Sequence, residues 1–444
     1  MSTVPGGAPR QERTDVAGGL APEPPRYAPG IAPGTPDPGG RAADTYTALD
    51  KGLWLTAEDV PESVLASGEL GLFDGPFTYP VMVARKSALD ANIATMAEYT
   101  RRHGVLFAPH GKTTMAPKLF AAQLAAGAWG ITVATANQAL AVRRFGVRRV
   151  LLANELLDGR ALRWAAEQTR DGWEFLFYVD SPEGVAEAAR AAAAVPGGRL
   201  SVLVELGRPG GRTGCRSHDA AVAVARAVAE ADGLDLAGVA GYEGGLPDTD
   251  AVTAWMRELV AFGDAVADLV PASVGPPVVS AGGSSWFDAV VDVLGGLPGR
   301  RVLLRSGAYV SHDDGYYLRS TPFNRHPDEG GLAGALEVWA QVLSAPEPGL
   351  AVLGAGRRDV PFDLGLPVPA DVRGTDGALR PAGDAVVVKL DDQHAYVETH
   401  GARLVPGETV RLLVSHPCTA FDKWRVVPVV DDDHRVVDLL RTYF

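Results

Sequence analysis

The stretch Leu106-Phe107-Ala108-Pro109-His110-Gly111-Lys112-Thr113-Thr114 places a lysine just past the end of a short apolar run. The run is typical of a buried strand, so Lys112 is expected at the carboxyl end of a strand. One interpretation is an ordinary lysine solvated on a loop. The other is a partly desolvated lysine with a lowered pKa, whose amine is nucleophilic enough to form a Schiff base.

Strand-like runs alternate with amphipathic helices from residue 77 onward. In the unit just before Lys112, Ser87 is predicted to cap a helix on which Leu89, Ile93 and Met96 recur at helical spacing. Gly104 is predicted to end that helix.

Eight β/α units are counted when the strand at residue 105 is included, and they predict a (β/α)₈ TIM-like barrel. A doubly wound open sheet fits the same alternation. A ninth strand candidate, Tyr79 to Val83, is placed outside the barrel. The other barrel strands are predicted to begin near Gly130, Arg149, Trp173, Leu200, Leu236, Pro277 and Arg301.

The chain is divided into four regions by composition. Residues 1–45 are rich in Pro, Gly and Ala and are expected to be a disordered tail. Residues 46–86 are expected to pack with the second domain, and residues 87–320 to form the barrel. Residues 321–444 contain short alternating runs, such as 385–390 and 409–414, and predict an all-β domain.

Composition narrows the classes of partner and compartment. A net charge of −13 argues against nucleic acid and anionic membrane surfaces. No apolar run is long enough to span a bilayer. Two cysteines, Cys215 and Cys418, cannot build a disulfide framework, and no signal-peptide pattern is visible. A cytoplasmic protein is therefore expected.

Glycine-rich turns follow the last two predicted barrel strands, where barrels often bind phosphate. Gly282-Gly283-Ser284 opens a helix, whose backbone N–H groups and positive end suit an anion. Gly307-Ala308-Tyr309 lies in the next loop. A phosphate cup and a strand-end lysine in one barrel indicate pyridoxal 5′-phosphate as cofactor.

His416-Pro417-Cys418 follows a predicted strand that ends at Val414. Residues two apart in an extended segment point to the same side, and an imidazole with a thiolate suits Zn²⁺ or another divalent metal. Two protein ligands would leave coordination positions open for water or substrate. The alternative is a buried thiol beside a turn histidine. His394 could join this site or be an exposed histidine in an acidic turn.

From about Thr78 to its end, the chain resembles the D-serine dehydratase / D-threonine aldolase group of fold-type III pyridoxal-phosphate enzymes, which have an alanine-racemase-like barrel. The resemblance rests on Gly211-Arg212-Thr213-Gly214, on the two glycine turns and on the His-x-Cys pair. It also rests on the segments 109–113 and 124–135.

The resemblance implies a role for each motif. Lys112 would hold the cofactor aldehyde, with His110 beside it, Arg212 near the ring oxygen and Tyr242 near the ring. The phosphate would lie against Gly282, Gly283, Ser284, Gly307, Ala308 and Tyr309. His416 and Cys418 would bind the metal and take part in catalysis. The family fold further implies a homodimer.

The sequence departs from the family pattern near the substrate. The usual Lys-Thr-His-Lys is replaced at residues 112–115, and the usual Glu-Glu-His at residues 392–394. The stretch Pro322 to Pro369 is longer and richer in Gly and Pro than expected, and the segment after Cys418 also differs. These changes put the substrate, rather than the cofactor, in doubt.

The predicted function is a metal-dependent dehydratase that converts a D-β-hydroxy-α-amino acid, such as D-serine or D-threonine, to a 2-oxo acid and ammonia. The alternative is retro-aldol cleavage of the same kind of substrate to glycine and an aldehyde. A racemase or a decarboxylase is disfavoured because the residues those enzymes need are not found. A non-catalytic cofactor carrier would have no use for the second domain.

Overall fold

The computed structural model describes residues 45–56 and 59–444. The tail predicted over residues 1–45 therefore lies outside the described residues except for Thr45. Chain order begins with two short strands and a short helix, and then a longer strand leads to the barrel: β1 Thr45–Tyr46, β2 Val60–Pro61, α1 Glu62–Leu65 and β3 Val81–Arg85.

Eight parallel strands form the barrel sheet, in the spatial order β4, β11, β10, β9, β8, β7, β6, β5. Their bounds are β4 Leu106–Phe107, β5 Ile131–Val133, β6 Arg149–Glu155, β7 Glu174–Val179, β8 Leu200–Leu206, β9 Leu234–Gly241, β10 Val278–Ser280 and β11 Arg301–Leu304. A parallel bridge between His110 and Thr132 joins the two ends of this order. The predicted barrel is confirmed, and the open doubly wound sheet is excluded.

Helices alternate with these strands along the chain and cover the outside of the barrel: α2 Lys86–Arg102, α3 Pro117–Ala125, α4 Ala136–Arg144, α5 Gly159–Arg170, α6 Pro182–Ala193, α7 His218–Glu230, α8 Thr249–Ala265, α9 Phe287–Leu294 and α10 Tyr316–Ser320. Side chains alternate between the two faces of each barrel strand, so the apolar residues form one layer outside the sheet and another inside the barrel. Val150 and Leu152 pack outward in the main core, whereas Leu151 packs with Leu176 and Leu203 in a separate cluster that fills the barrel.

One local prediction is wrong. Helix α2 begins at Lys86, one residue before the predicted cap, and the side chain of its N-cap residue Arg85 makes no capping hydrogen bond to the helix. The Ser87 hydroxyl instead donates to Asp432, at 2.7 Å. Gly104, at the other end, has a φ of +65° in the turn that leaves the helix.

The remaining strands form a mainly antiparallel sheet: β12 Leu336–Glu347, β13 Leu350–Leu353, β14 Val368–Arg373, β15 Leu379–Pro381, β16 Val386–Leu390, β17 Ala395–Glu398, β18 Thr409–Leu413, β19 Val426–Val430 and β20 Val436–Arg441. Strand β3 belongs to this sheet, antiparallel to β12 and parallel to β19. Tyr46, Leu53 and Leu65 pack with Trp339 in a core shared with this sheet. Within the described residues, no helix is both long enough and apolar enough to cross a membrane.

Candidate active site

Lys112 lies in a 3₁₀ turn, Gly111–Thr113, just beyond strand β4. The turn is tightly packed, since a Cβ on Gly111 would come within 2.8 Å of Ile131. The lysine side chain is exposed to solvent, but neighbouring protein atoms displace part of the water around it. Loss of hydration therefore lowers the pKa of Lys112; the charge of Cys418 opposes the shift, and the guanidinium groups of Arg212 and Arg305 add to it.

His416 and Cys418 lie beside this turn. His416 is extended and precedes the 3₁₀ turn Pro417–Thr419, which packs against the turn that carries Lys112. Burial disfavours a charged imidazole, but a hydrogen bond with Cys418 and the charges of Cys418 and Asp363 outweigh burial and raise the pKa of His416 to about 9. The structure thus brings the three predicted catalytic residues to one side of the barrel mouth.

The turn predicted to hold phosphate is already bonded within the protein. The buried carboxylate of Glu243 accepts the backbone N–H of Gly282, at 3.2 Å, and that of Gly283. The Ser306 hydroxyl donates to the carbonyl groups of both glycines, at 3.2 and 3.1 Å. In this structure, the two N–H groups assigned to phosphate from the sequence are therefore engaged, and Ser284 follows at the start of the next turn.

The second predicted phosphate loop, Gly307–Tyr309, lies against the lysine loop. A Cβ on Gly307 would come within 2.6 Å of the Cβ of His110, so this contact requires glycine. The Tyr309 hydroxyl accepts a hydrogen bond from Gln123, at 3.0 Å, and is buried. The phenol is therefore engaged in the core, which leaves the backbone of Ala308 and Tyr309 as the part that could face an anion.

Arg212 and Tyr242 pack against one another beside a small cavity. The guanidinium carbon of Arg212 lies 4.4 Å from the centre of the Tyr242 ring. Both residues border a cavity of about 180 Å³, together with the glycine-rich loop 207–213. Arg216 holds this loop by donating to the carbonyl groups of Gly211, Arg212 and Thr213.

Sequence reasoning missed several polar groups at the strand ends. Arg305 is buried just after β11 and donates to Ser280 and to the carbonyl of Gly241, each at 2.8 Å. Glu155 is the last residue of β6, and Glu205 is the last but one of β8. Their side chains lie close to one another. Burial, followed by the charge of Glu205, raises the pKa of Glu155 to about 8. An ionisable residue at or next to the carboxyl end of a predicted barrel strand was the available signal for each.

Two further residues lie against the His416 and Cys418 pair. Asp363 lies in the stretch that the sequence showed to be long and rich in Gly and Pro, and it accepts a hydrogen bond from His416 Nδ1, at 2.7 Å. The Tyr317 hydroxyl bonds with Ser284, and its raised pKa is due to burial first and then to the charge of Cys418. His394 is exposed between β16 and β17. The described residues contain no cluster of three or more metal-binding side chains.

Two protein families match successive parts of the chain. The alanine racemase N-terminal domain matches residues 85–289, which include the lysine turn and most of the barrel. The family described as "Putative serine dehydratase domain" matches residues 335–430, which include His416 and Cys418.

Proteins of known activity are similar to this chain over 53–83% of its length. The 3-hydroxy-D-aspartate aldolase of Paracoccus denitrificans (strain Pd 1222) is 27% identical over 80% of this chain and 90% of its own length. The D-threo-3-hydroxyaspartate dehydratase of Delftia sp. (strain HT23) is 30% identical over 53% of this chain and 61% of its own. The crystal structure of D-threonine aldolase from Filomicrobium marinum superposes with a TM-score of 0.69 at 26% identity, covering 83% of this chain and 95% of that one.

These findings confirm the predicted resemblance to the D-serine dehydratase / D-threonine aldolase group. They also confirm the alanine-racemase-like architecture, a (β/α)₈ barrel followed by a β domain.

Proposed function

We propose that the protein is a pyridoxal-phosphate- and metal-dependent dehydratase. It converts a D-β-hydroxy-α-amino acid of the D-serine or D-threonine type to a 2-oxo acid and ammonia. The lyase class is confirmed by the aldolase and dehydratase relatives; the dehydration, the substrate and the metal are the proposal. The observation that carries it is the packing of the Lys112 turn against the Cys418 turn, which places an amine beside a candidate metal pair.

The residues at the barrel mouth fit the cofactor. Lys112 offers an amine with a lowered pKa, and Arg212 offers a cation beside an aromatic wall. The nitrogen His110 Nδ1 is buried and has no hydrogen-bond partner among the described residues. Phosphate would be held by Ser284 and the backbone of Gly307–Tyr309, with Gly282 and Gly283 shaping the cup. When bound, the cofactor would supply an electron sink for the substrate's α-carbon.

The residues at His416 fit a divalent metal with open positions. An imidazole and a thiol are a donor set that zinc prefers, and their side chains already contact one another. Such a metal would act as a Lewis acid on the substrate's β-hydroxyl. We favour zinc, with His416 and Cys418 as ligands.

Dehydration needs a base at the α-carbon and an electrophile at the β-hydroxyl group. Lys112 would be the base, and a metal held by His416 and Cys418 would be the electrophile. The Lys112 amine can take the proton from the α-carbon. His416 and Cys418 lie beside it, where a metal that they held would assist departure of the hydroxyl group. The proton that Lys112 takes from the α-carbon would leave with that hydroxyl group as water. The enamine that remains gains water in solution and releases ammonia, which yields the 2-oxo acid.

Retro-aldol cleavage is the second candidate, and the relatives that are aldolases favour it. It requires a base at the β-hydroxyl. Tyr317 lies near His416 and Cys418, but its hydroxyl is engaged with Ser284.

The proposal extends to partners and compartment. The acidic composition supports a cytoplasmic protein that does not bind nucleic acid or membranes, and the family fold supports a homodimer.

Product analysis with D-threonine separates the two reactions, and D-serine and D-3-hydroxyaspartate extend the test. Formation of 2-oxobutyrate and ammonia from D-threonine would support dehydration. Formation of glycine and acetaldehyde would overturn it in favour of the aldolase reaction. Treatment with a chelator should abolish either reaction and added Zn²⁺ should restore it; full activity after chelation would contradict the metal's role.

A further inference from the structure

We infer that Asp363 is a positioning residue for the metal: it binds His416 through Nδ1, so that Nε2 is the nitrogen presented to the ion. The inference rests on the metal site of the proposed function. It assigns a task to a residue outside the predicted ligand pair.

The loop around Asp363 clamps the segment that carries both ligands. Asp363 Oδ2 lies 2.7 Å from His416 Nδ1, and Oδ1 accepts a hydrogen bond from the Thr419 hydroxyl, at 3.1 Å. Two residues further on, the carbonyl of Gly365 accepts a hydrogen bond from the Ser415 hydroxyl, at 2.6 Å. The clamp therefore holds residues on both sides of Cys418 and His416.

The bond to Asp363 decides which nitrogen of His416 is free. A carboxylate only accepts hydrogen bonds, so Nδ1 carries the proton in this pair. The opposite nitrogen, Nε2, remains as the donor for a metal, and Cys418 lies within hydrogen-bonding reach of the same imidazole. A carboxylate that fixes the tautomer and the orientation of a metal-binding histidine is common in metalloenzymes and raises the basicity of the ligand.

The geometry distinguishes this role from direct coordination. Asp363 bonds to Nδ1, which is across the ring from the nitrogen left for the ion. Its side chain is 41% exposed, so replacing it should not disturb a packed core. The described residues contain no set of three or more side chains that could hold a metal, which agrees with two protein ligands rather than three.

The test compares metal affinity in the full-length wild type, Asp363→Asn and a matched control, Asp376→Asn, which changes an exposed aspartate in a turn of the same domain. The dissociation constant for Zn²⁺ is measured by competition with a chromogenic chelator. The visible absorption spectrum of the Co²⁺-loaded protein reports the ligands. We expect Asp363→Asn to bind Zn²⁺ about 10- to 100-fold more weakly, with an unchanged Co²⁺ spectrum, because outer partners of metal ligands have effects of this size.

Equal Zn²⁺ affinity of Asp363→Asn and the wild type would overturn the inference and leave the proposed function intact. A changed Co²⁺ spectrum in Asp363→Asn would also overturn it, because Asp363 would then be a ligand. A wild-type protein that binds neither ion would refute the metal site of the proposed function and the inference with it. Unaltered thermal unfolding of the metal-free variants serves as the check on folding.

Discussion

The carboxylate of Glu243 accepts the backbone N–H of Gly282 at 3.2 Å, inside the turn that the sequence assigns to phosphate. Glu243 is fully buried, and it also accepts the N–H of Gly283. The turn is thus shaped by a protein anion on one side and by Ser306 on the other. The N–H groups of Gly282 and Gly283 are therefore already engaged, and an incoming phosphate would have to bind to the residues around them.

Replacing Glu243 with alanine should loosen this turn. One buried and one partly buried N–H group would lose their acceptor. We expect the free energy of unfolding to fall by about 2 kcal/mol. Cofactor affinity should fall about tenfold, as measured by absorbance titration of the cofactor-free protein. Glu243→Gln keeps one acceptor oxygen, so its stability and its cofactor affinity should lie between those of the wild type and Glu243→Ala. Tighter cofactor binding by either variant would mean that the carboxylate competes with phosphate.

Replacing Lys112 should remove covalent attachment of the cofactor. Lys112→Ala loses the amine, and Lys112→Arg keeps the charge but not a nucleophile. Borohydride reduction followed by mass spectrometry should find the cofactor on the Lys112 peptide in the wild type and in neither variant, and both variants should lose turnover. Adduct formation on another lysine of the wild type would contradict the assignment.

The half-buried Glu155, which lies beside the buried Glu205, should make stability depend on pH. The pKa of Glu155 is raised to about 8 from an ordinary value of 4.5, so the folded protein holds a proton that the unfolded chain releases. The stability that the protonated Glu155 contributes is fully present below its ordinary pKa of 4.5, and it is lost as the pH rises through the raised pKa of about 8. Glu155→Gln should therefore gain stability relative to the wild type as pH rises, by about 2 kcal/mol after allowance for screening by water.

Chemical denaturation across this pH range measures the difference, and Glu167→Gln, at an exposed position in α5, is the control. A difference between Glu155→Gln and the wild type that does not vary with pH would be evidence against the raised pKa.

The contact between Gly307 and His110 should not tolerate a side chain. In Gly307→Ala, the new Cβ would lie 2.6 Å from the His110 Cβ and 2.7 Å from its carbonyl oxygen. We expect a loss of about 1–3 kcal/mol of stability, typical of overpacking, together with weaker cofactor binding. Gly331→Ala, where no atom lies within 4 Å of the added carbon, should be neutral. Equal thermal stability of the two variants would show that the loop carrying His110 and Lys112 can shift to accommodate the added methyl group.

Much of the fold could be predicted because periodicity and strand ends are local properties. The barrel strands begin within a few residues of their predicted starts, and Lys112 and His416 follow strands as expected. Long-range partners could not be predicted in this way. Asp363 meets His416 from 53 positions away, and Glu243 meets Gly283 from 40. Neither pairing leaves a periodic trace in the sequence.

Strand β3 precedes the barrel in the chain but completes the sheet that follows it, between β12 and β19. During synthesis, its apolar residues Val81, Met82 and Val83 therefore emerge from the ribosome before any of their strand partners exist. The whole barrel is made in the interval, and domains generally fold as they emerge. Strand β3 gains its first partner only when β12 has been made and its second only with β19, so premature termination near residue 330 would leave a barrel carrying an unpaired, aggregation-prone strand.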